Sequence, residues 1–169
     1  MPEAYQAFLV RYALNIDLPD YVVEHPIMEA LNQGTNDLVT WSNDIFSYNV
    51  EQSRGDTHNM IVILMLYHGH TLQSAVDYVG DLCAQTIDTF CENKKKLPSW
   101  GPEVDEMVAK YVQGLQDWIV GYANPFPCHT PWLTSLASQF PSLELPDPQI
   151  FRYERIGSQS PPLRQAPPS

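Results

Sequence analysis

An amide, a hydroxyl and a carboxylate follow one another at four-residue intervals, at Asn43, Ser47 and Glu51. Residues four apart share one face of an α-helix, so these side chains would form a stripe roughly 12 Å long at about 1.5 Å per residue. Their oxygens are ligands of the kind that Mg²⁺ prefers, and Mg²⁺ completes its shell with water and phosphate oxygens. The stripe is therefore either a magnesium site that receives a phosphate group or a solvated polar face. We expect Asp44 and Asn49 to point to other sides of the helix.

A second set of residues, Asn36, Thr40 and Asp44, has the same four-residue spacing. Spacing alone therefore does not show which of the two sets would bind the metal. The surrounding residues favour Asn43, Ser47 and Glu51. Residues 36–59 closely resemble class I terpene synthases, particularly the sesquiterpene synthases of mushroom-type fungi. The resemblance extends over about residues 12–122. It includes three further segments, which are residues 72–76, 97–102 and 117–121.

The resemblance implies an all-α class I terpenoid synthase bundle that uses Mg²⁺ to ionise and cyclise farnesyl diphosphate. In that family the triad matched by Asn43, Ser47 and Glu51 binds one of three Mg²⁺ ions. The metal acts as a Lewis acid, and aromatic ring faces attract the resulting carbocation. Three aromatic residues either face such a cavity or pack in the core: Phe46, Tyr48 and Trp118.

The chain departs from the family pattern at several places. The aspartate-rich motif that binds the other two Mg²⁺ ions lies upstream of the triad in relatives, and no paired-aspartate motif occurs here. Val50 replaces a lysine that is frequent in relatives, a change that fungal members tolerate. The diphosphate-binding Arg-Tyr pair is matched most closely by Arg152 and Tyr153, in an imperfect register. We therefore expect a carboxyl-terminal portion of a terpene synthase, with an incomplete bundle and no cyclase activity alone.

Other readings of the chain remain open. It could be an enzyme completed by pairing of two chains, or a non-catalytic helical interaction module or inactive fragment that retains the triad unused. His68 and His70 could bind a metal, although an exposed helix end explains them better. The three lysines at residues 94–96 could bind diphosphate, but cations at a helix carboxyl end also interact favourably with the helix dipole.

Composition narrows the possible partners. Nine basic against twenty acidic residues give a net charge of −11, which argues against binding nucleic acid. An acidic protein that handles a diphosphate must neutralise it with metal. Cys83, Cys91 and Cys128 include no close pair, so we expect buried free thiols. The chain shows neither a signal peptide nor a membrane span, and we expect a cytoplasmic protein.

The pattern predicts one helical domain over residues 1–124, with five or six helices and no convincing strand. Pro26 should kink or restart a helix, and the triad helix should begin at Thr35 or Asn36 and stop before Gly55. The apolar residues 60–66 could be a strand by periodicity, but their helical neighbours favour a buried helix. This helix should begin at Thr57 or Asn59 and end at Gly69, and Thr71 should cap the next helix.

The composition changes after residue 124. Ten of the fifteen prolines lie in residues 125–169, which predicts a Pro-rich, irregular tail. Because an incomplete bundle would expose apolar helix faces, particularly residues 60–66, we also expect self-association.

Overall fold

Six α-helices and no β-strand make up residues 5–123, the part of the chain that the computed structural model describes. This confirms the all-α prediction. The predicted tail at residues 125–169, including Arg152 and Tyr153, lies outside the described residues. The helices are α1 (Tyr5–Leu14), α2 (Asp20–Val23), α3 (Pro26–Arg54), α4 (Met60–His68), α5 (Leu72–Lys95) and α6 (Pro102–Ala123).

Local capping fixes the ends of the helices around the triad. Gly55 and Gly69 end α3 and α4 in the left-handed conformation, with φ of 80° and 71°. Asn59 begins α4, because its side chain accepts a hydrogen bond from the Ile61 N–H at 2.9 Å. Thr71 begins α5 by accepting from the Ser74 N–H at 3.2 Å. The predicted ends at Gly55 and Gly69 and the predicted start at Thr71 are confirmed, and Asn59 rather than Thr57 begins α4.

Helix α3 is longer than predicted. It begins at Pro26, after His25 accepts a hydrogen bond from the Ile27 N–H, and its 29 residues extend roughly 43 Å. The expected start at Thr35 or Asn36 is wrong, because Thr35 is buried and its hydroxyl donates to the Leu31 carbonyl within the helix at 2.9 Å. Pro26 therefore restarts the helical chain.

Every other helix packs against α3, which forms the centre of the bundle. A long-range hydrogen bond joins α6 to it, from the Tyr111 hydroxyl to Asn32 Oδ1 at 2.6 Å. Helix α1 crosses α6 closely at Gly114, where an added Cβ would lie 2.7 Å from side-chain atoms of Val10 and Leu14. The triad helix is thus held along its length by the rest of the bundle.

Helix α4 is buried on one side only. Ile61, Val62 and Leu64 lie in the core, which confirms that residues 60–66 form a helix rather than a strand. On the other side Leu66 is 47% exposed and Tyr67 is 77% exposed. This surface is apolar and has no partner among the described residues.

The thiols of Cys83 and Cys91 are free, as expected. Cys83 is buried, which raises the pKa of its thiol to about 12, whereas Cys91 is partly exposed. Cys128 lies outside the described residues. Among the described helices, none is long and apolar enough to cross a membrane.

Candidate metal site

The predicted triad lies on uninterrupted helix in the second half of α3. Asn43, Ser47 and Glu51 are each partly buried, so they lie at the boundary between the core and solvent. Because the helix continues for three residues beyond Glu51, the four-residue spacing places all three side chains along one side of α3. Two neutral oxygen ligands and one carboxylate are a suitable partial set for a hard divalent cation.

Ser47 differs from other buried hydroxyls of the same helix. Its Oγ is shielded from solvent and has no hydrogen-bond partner among the described residues. A serine inside a helix can donate to the carbonyl one turn earlier, and Ser42 does so to Leu38 at 2.6 Å. An unpaired buried hydroxyl costs about 1–3 kcal/mol and calls for a specific explanation. The Ser47 oxygen is therefore chemically available to a cation, which fits the metal reading.

Asn59 joins the carboxylate end of the triad to the start of α4. Its Nδ2 donates to the Asp44 carbonyl at 2.7 Å and to Glu51 Oε2 at 3.1 Å. Its Oδ1 accepts from the Ile61 N–H at 2.9 Å, and the residue is fully buried. One side chain thus contacts the backbone of both helices and one predicted ligand.

Asp44 lies close to the same junction. Its carboxylate accepts a hydrogen bond from the Met60 N–H at 2.9 Å, at the amino end of α4. Burial raises the pKa of the Asp44 carboxyl, the Met60 N–H opposes this change, and the negative charge of Glu51 adds to it. Asp44 thus lies near the Glu51 end of the triad, consistent with their separation of seven residues, which is almost two full turns.

Sequence reasoning identified Asn59 only as a possible helix start and missed its contact with Glu51. The alternative register is less suited to a metal, because Thr40 is exposed and the Asp44 carboxylate already accepts from Met60. His70 contacts Ser74 Oγ at 3.2 Å, and His68 is exposed. Within residues 5–123, no group of three or more His, Cys, Asp or Glu side chains could hold a metal ion.

The aromatic candidates have different surroundings. Tyr48 is buried between α3 and α4, where its hydroxyl lies 3.7 Å from the Met65 sulfur. Phe46 packs partly buried against the core. Trp118 lines an apolar groove of about 530 Å³ between α1 and α6. Its Nε1 is buried without a hydrogen-bond partner among the described residues.

Comparison with known proteins agrees with these observations. Residues 6–89 match the family model described as terpene synthase family 2, C-terminal metal binding. Over 113 residues, or 67% of this chain, the sequence is 88% identical to sesquiterpene synthase Agr3 of Cyclocybe aegerita. It is 83% identical over 113 residues to alpha-muurolene synthase of Coprinopsis cinerea, again covering 67% of this chain.

Two more distant similarities are to another named synthase and to a solved structure. A (+)-T-muurolol synthase of Roseiflexus castenholzii is 36% identical over 111 residues, which are 66% of this chain and 34% of the relative. The structure of the T181N variant of cucumene synthase superposes with a TM-score of 0.61 at 23% identity. That match covers 69% of this chain and 39% of the other.

The matched part of this chain corresponds to 32% of Agr3 and 27% of alpha-muurolene synthase. It therefore spans about a third or less of these relatives. Its fold is the all-α class I terpenoid fold, and the matching family model implies a divalent metal. By sequence, this chain belongs to the terpene synthase family, and its residues 6–89 match the family's C-terminal metal-binding model.

Proposed function

We propose that this chain provides the Asn43, Ser47 and Glu51 side of a Mg²⁺ site in a sesquiterpene synthase acting on farnesyl diphosphate. The observation that carries the proposal is the buried, unpaired Ser47 hydroxyl in the middle of the triad. Two relatives are named sesquiterpene or alpha-muurolene synthases, and the name of the Roseiflexus relative specifies cyclisation of (2E,6E)-farnesyl diphosphate. We place the reaction in the cytoplasm.

The chemistry of the triad suits a cation shared with a diphosphate. Glu51 supplies one negative charge, while Asn43 and Ser47 supply neutral oxygens, so a bound dication keeps a net positive charge toward an anionic substrate. Bound Mg²⁺ would supply Lewis-acid stabilisation of the departing diphosphate. The protein's net charge of −11 makes such neutralisation necessary. Arg152 and Tyr153 remain our proposal for direct diphosphate contacts.

A second candidate function is a non-catalytic helical module or inactive fragment that retains the metal site. One observation favours it. A class I site needs metal ligands from a second helix, and residues 5–123 contain no group of three or more His, Cys, Asp or Glu side chains that could supply them. Binding of metal without turnover of farnesyl diphosphate would identify a non-catalytic chain that retains the metal site.

The test measures turnover and metal binding separately. Purified chain is incubated with farnesyl diphosphate with and without Mg²⁺, and volatile products are analysed by gas chromatography. In parallel, Mn²⁺ is titrated as a paramagnetic probe, and free Mn²⁺ is followed by electron paramagnetic resonance. We expect Glu51→Gln to remove one Mn²⁺ site, whereas the matched change Glu103→Gln at an exposed carboxylate of α6 retains it.

Three outcomes separate the candidates. Mg²⁺-dependent product that disappears in Glu51→Gln would establish an active synthase and contradict the expected lack of activity. Mn²⁺ binding that depends on Glu51, without product, would establish the metal-competent fragment. Equal Mn²⁺ binding by the wild type and Glu51→Gln would contradict the metal site itself.

A further inference from the structure

We infer that Asn59 is a positioning residue for the metal site: its amide fixes the Glu51 carboxylate in place while its carbonyl oxygen begins α4. This inference rests on the proposed metal role of Glu51. Asn59 is outside the triad and follows the turn that ends α3 at Gly55. It contacts Oε2 of Glu51 and not Oε1, so it can hold the carboxylate without taking both oxygens.

The orientation of the Asn59 amide is determined by its partners. The Ile61 N–H can only donate, whereas the Asp44 carbonyl and the ionised Glu51 carboxylate can only accept. Reversing the amide would place its NH₂ against the Ile61 N–H and its oxygen against the carboxylate. Both Nδ2 hydrogens are therefore used, one for each α3 acceptor. A fully buried side chain with this pattern of contacts has little freedom to move.

The hydrogen bond from Asn59 restrains Glu51 at a place where its side chain would otherwise be mobile. Glu51 lies in the last turn of α3, three residues before the helix ends at Arg54, and its side chain has three rotatable bonds. Ordering such a side chain on binding costs conformational entropy. A hydrogen bond that already restrains the carboxylate reduces this cost. Loss of an outer hydrogen-bond partner of a metal ligand typically weakens metal binding by about 10- to 100-fold.

A purely structural role makes a different prediction. If Asn59 served only to begin α4, any good capping residue would replace it without effect on the metal. Serine caps helices about as well as asparagine, but it has no NH₂ group. Asn59→Ser therefore keeps an acceptor for the Ile61 N–H and removes the NH₂ group that donates to Glu51, and the single O–H on the shorter serine side chain cannot serve both α3 acceptors. Aspartate is a poorer test, because its own carboxylate would attract a cation.

The experiment uses Mn²⁺ as the probe, with the full chain and four proteins: the wild type, Glu51→Gln, Asn59→Ser and Thr71→Ala. Thr71→Ala is the matched control, because it removes the cap of α5, away from the triad. Mn²⁺ affinity is measured by electron paramagnetic resonance, and helicity and urea midpoints are measured without metal. We expect Asn59→Ser to weaken the Glu51-dependent site about 10- to 100-fold, and Thr71→Ala to leave it unchanged.

The outcomes distinguish this inference from the proposed function. Wild-type Mn²⁺ affinity in Asn59→Ser, with binding lost in Glu51→Gln, would overturn the role of Asn59 and leave the metal site intact. Unchanged binding in Glu51→Gln would instead remove the proposed function. If Asn59→Ser loses its helicity, Mn²⁺ affinity is measured in Asn59→Thr instead, because threonine fills more of the buried space. Loss of folding in both variants would overturn the inference in favour of a structural role.

Discussion

Two serines on α3, Ser42 and Ser47, differ in whether the hydroxyl has a hydrogen-bond partner within residues 5–123. Ser42 Oγ donates to the carbonyls of Leu38 and Val39, at 2.6 and 3.1 Å, and is satisfied within the helix. Ser47 Oγ, five residues later, is buried and has no partner among the described residues. Since both lie in the same helix, the difference arises from their surroundings rather than from residue type. The unpaired Ser47 hydroxyl therefore destabilises the metal-free protein, and a bound cation would offset this loss of stability.

This contrast predicts opposite effects of Ser47→Ala on folding and on metal binding. Removing the unpaired hydroxyl and introducing a better helix former should leave the metal-free protein equally stable or more stable, by up to about 1 kcal/mol. Mn²⁺ affinity should fall, because one ligand is lost. Urea unfolding and the Mn²⁺ titration measure the two effects. Ser42→Ala is the control, and equal Mn²⁺ affinity in the two variants would exclude Ser47 as a ligand.

The three triad residues could be proposed from the sequence because one helical period relates them and because the flanking residues 36–59 resemble class I terpene synthases. Asn59 could not be related to Glu51 in this way, since the two lie on opposite sides of the turn between α3 and α4. Only the path of the chain through Gly55 brings them within 3.1 Å. The available signal was weaker: Asn59 is a capping residue placed directly before an apolar run.

At the scale of elements, helix ends were predictable where a single residue determines them. Gly55, Gly69 and Thr71 act through their own backbone or side chain. The start of α3 was not predictable, because Gly34 followed by Thr35 resembles a break and a new cap. In the structure Gly34 instead lies inside α3, with Thr86 and Phe90 of α5 next to it. Tertiary packing therefore overrides the local preference.

The two mid-helix glycines Gly34 and Gly114 should respond oppositely to alanine. A Cβ at Gly34 would meet Thr86 and Phe90 at ordinary distances of 3.6 and 3.7 Å, so Gly34→Ala should stabilise the fold by up to about 1 kcal/mol. At Gly114 the nearest atoms lie at 2.7 Å. Overpacking costs about 1–3 kcal/mol, which exceeds the helical gain. Gly114→Ala should therefore destabilise the protein by up to about 2 kcal/mol.

Urea unfolding of both variants measures this difference. A stabilising Gly114→Ala would show that α1 does not pack against α6 in solution as it does in the structure. Gly121→Ala offers a further control on α6, because nothing lies within 4 Å of its added Cβ.

At the scale of the whole molecule, the exposed side of α4 predicts self-association. Ile63, Leu66 and Tyr67 are 39%, 47% and 77% exposed, respectively. The net charge of −11 opposes contact between copies, and salt screens that repulsion. We therefore expect the sedimenting mass to rise with protein concentration and with salt. Leu66→Lys should shift the protein toward monomer, whereas Tyr21→Lys, on α2, should not.

Analytical ultracentrifugation of these three proteins tests this prediction. A wild-type protein that sediments as a monomer at all salt concentrations would contradict it. An equal shift by both variants would show that added charge, rather than the α4 surface, controls association.

The central position of α3 has a consequence for the order of events during protein synthesis. The surface of α3 that packs against α6, including Asn32, is complete long before Tyr111 is translated. At about 5–20 residues per second, the 22 residues of α6 take roughly 1–4 seconds to translate. A nascent chain that ends at Lys95 therefore contains the complete triad on α3, but α6 does not yet pack against that helix. The proposed metal ligands are made before α6, but the packing that supports their helix is finished only when α6 emerges.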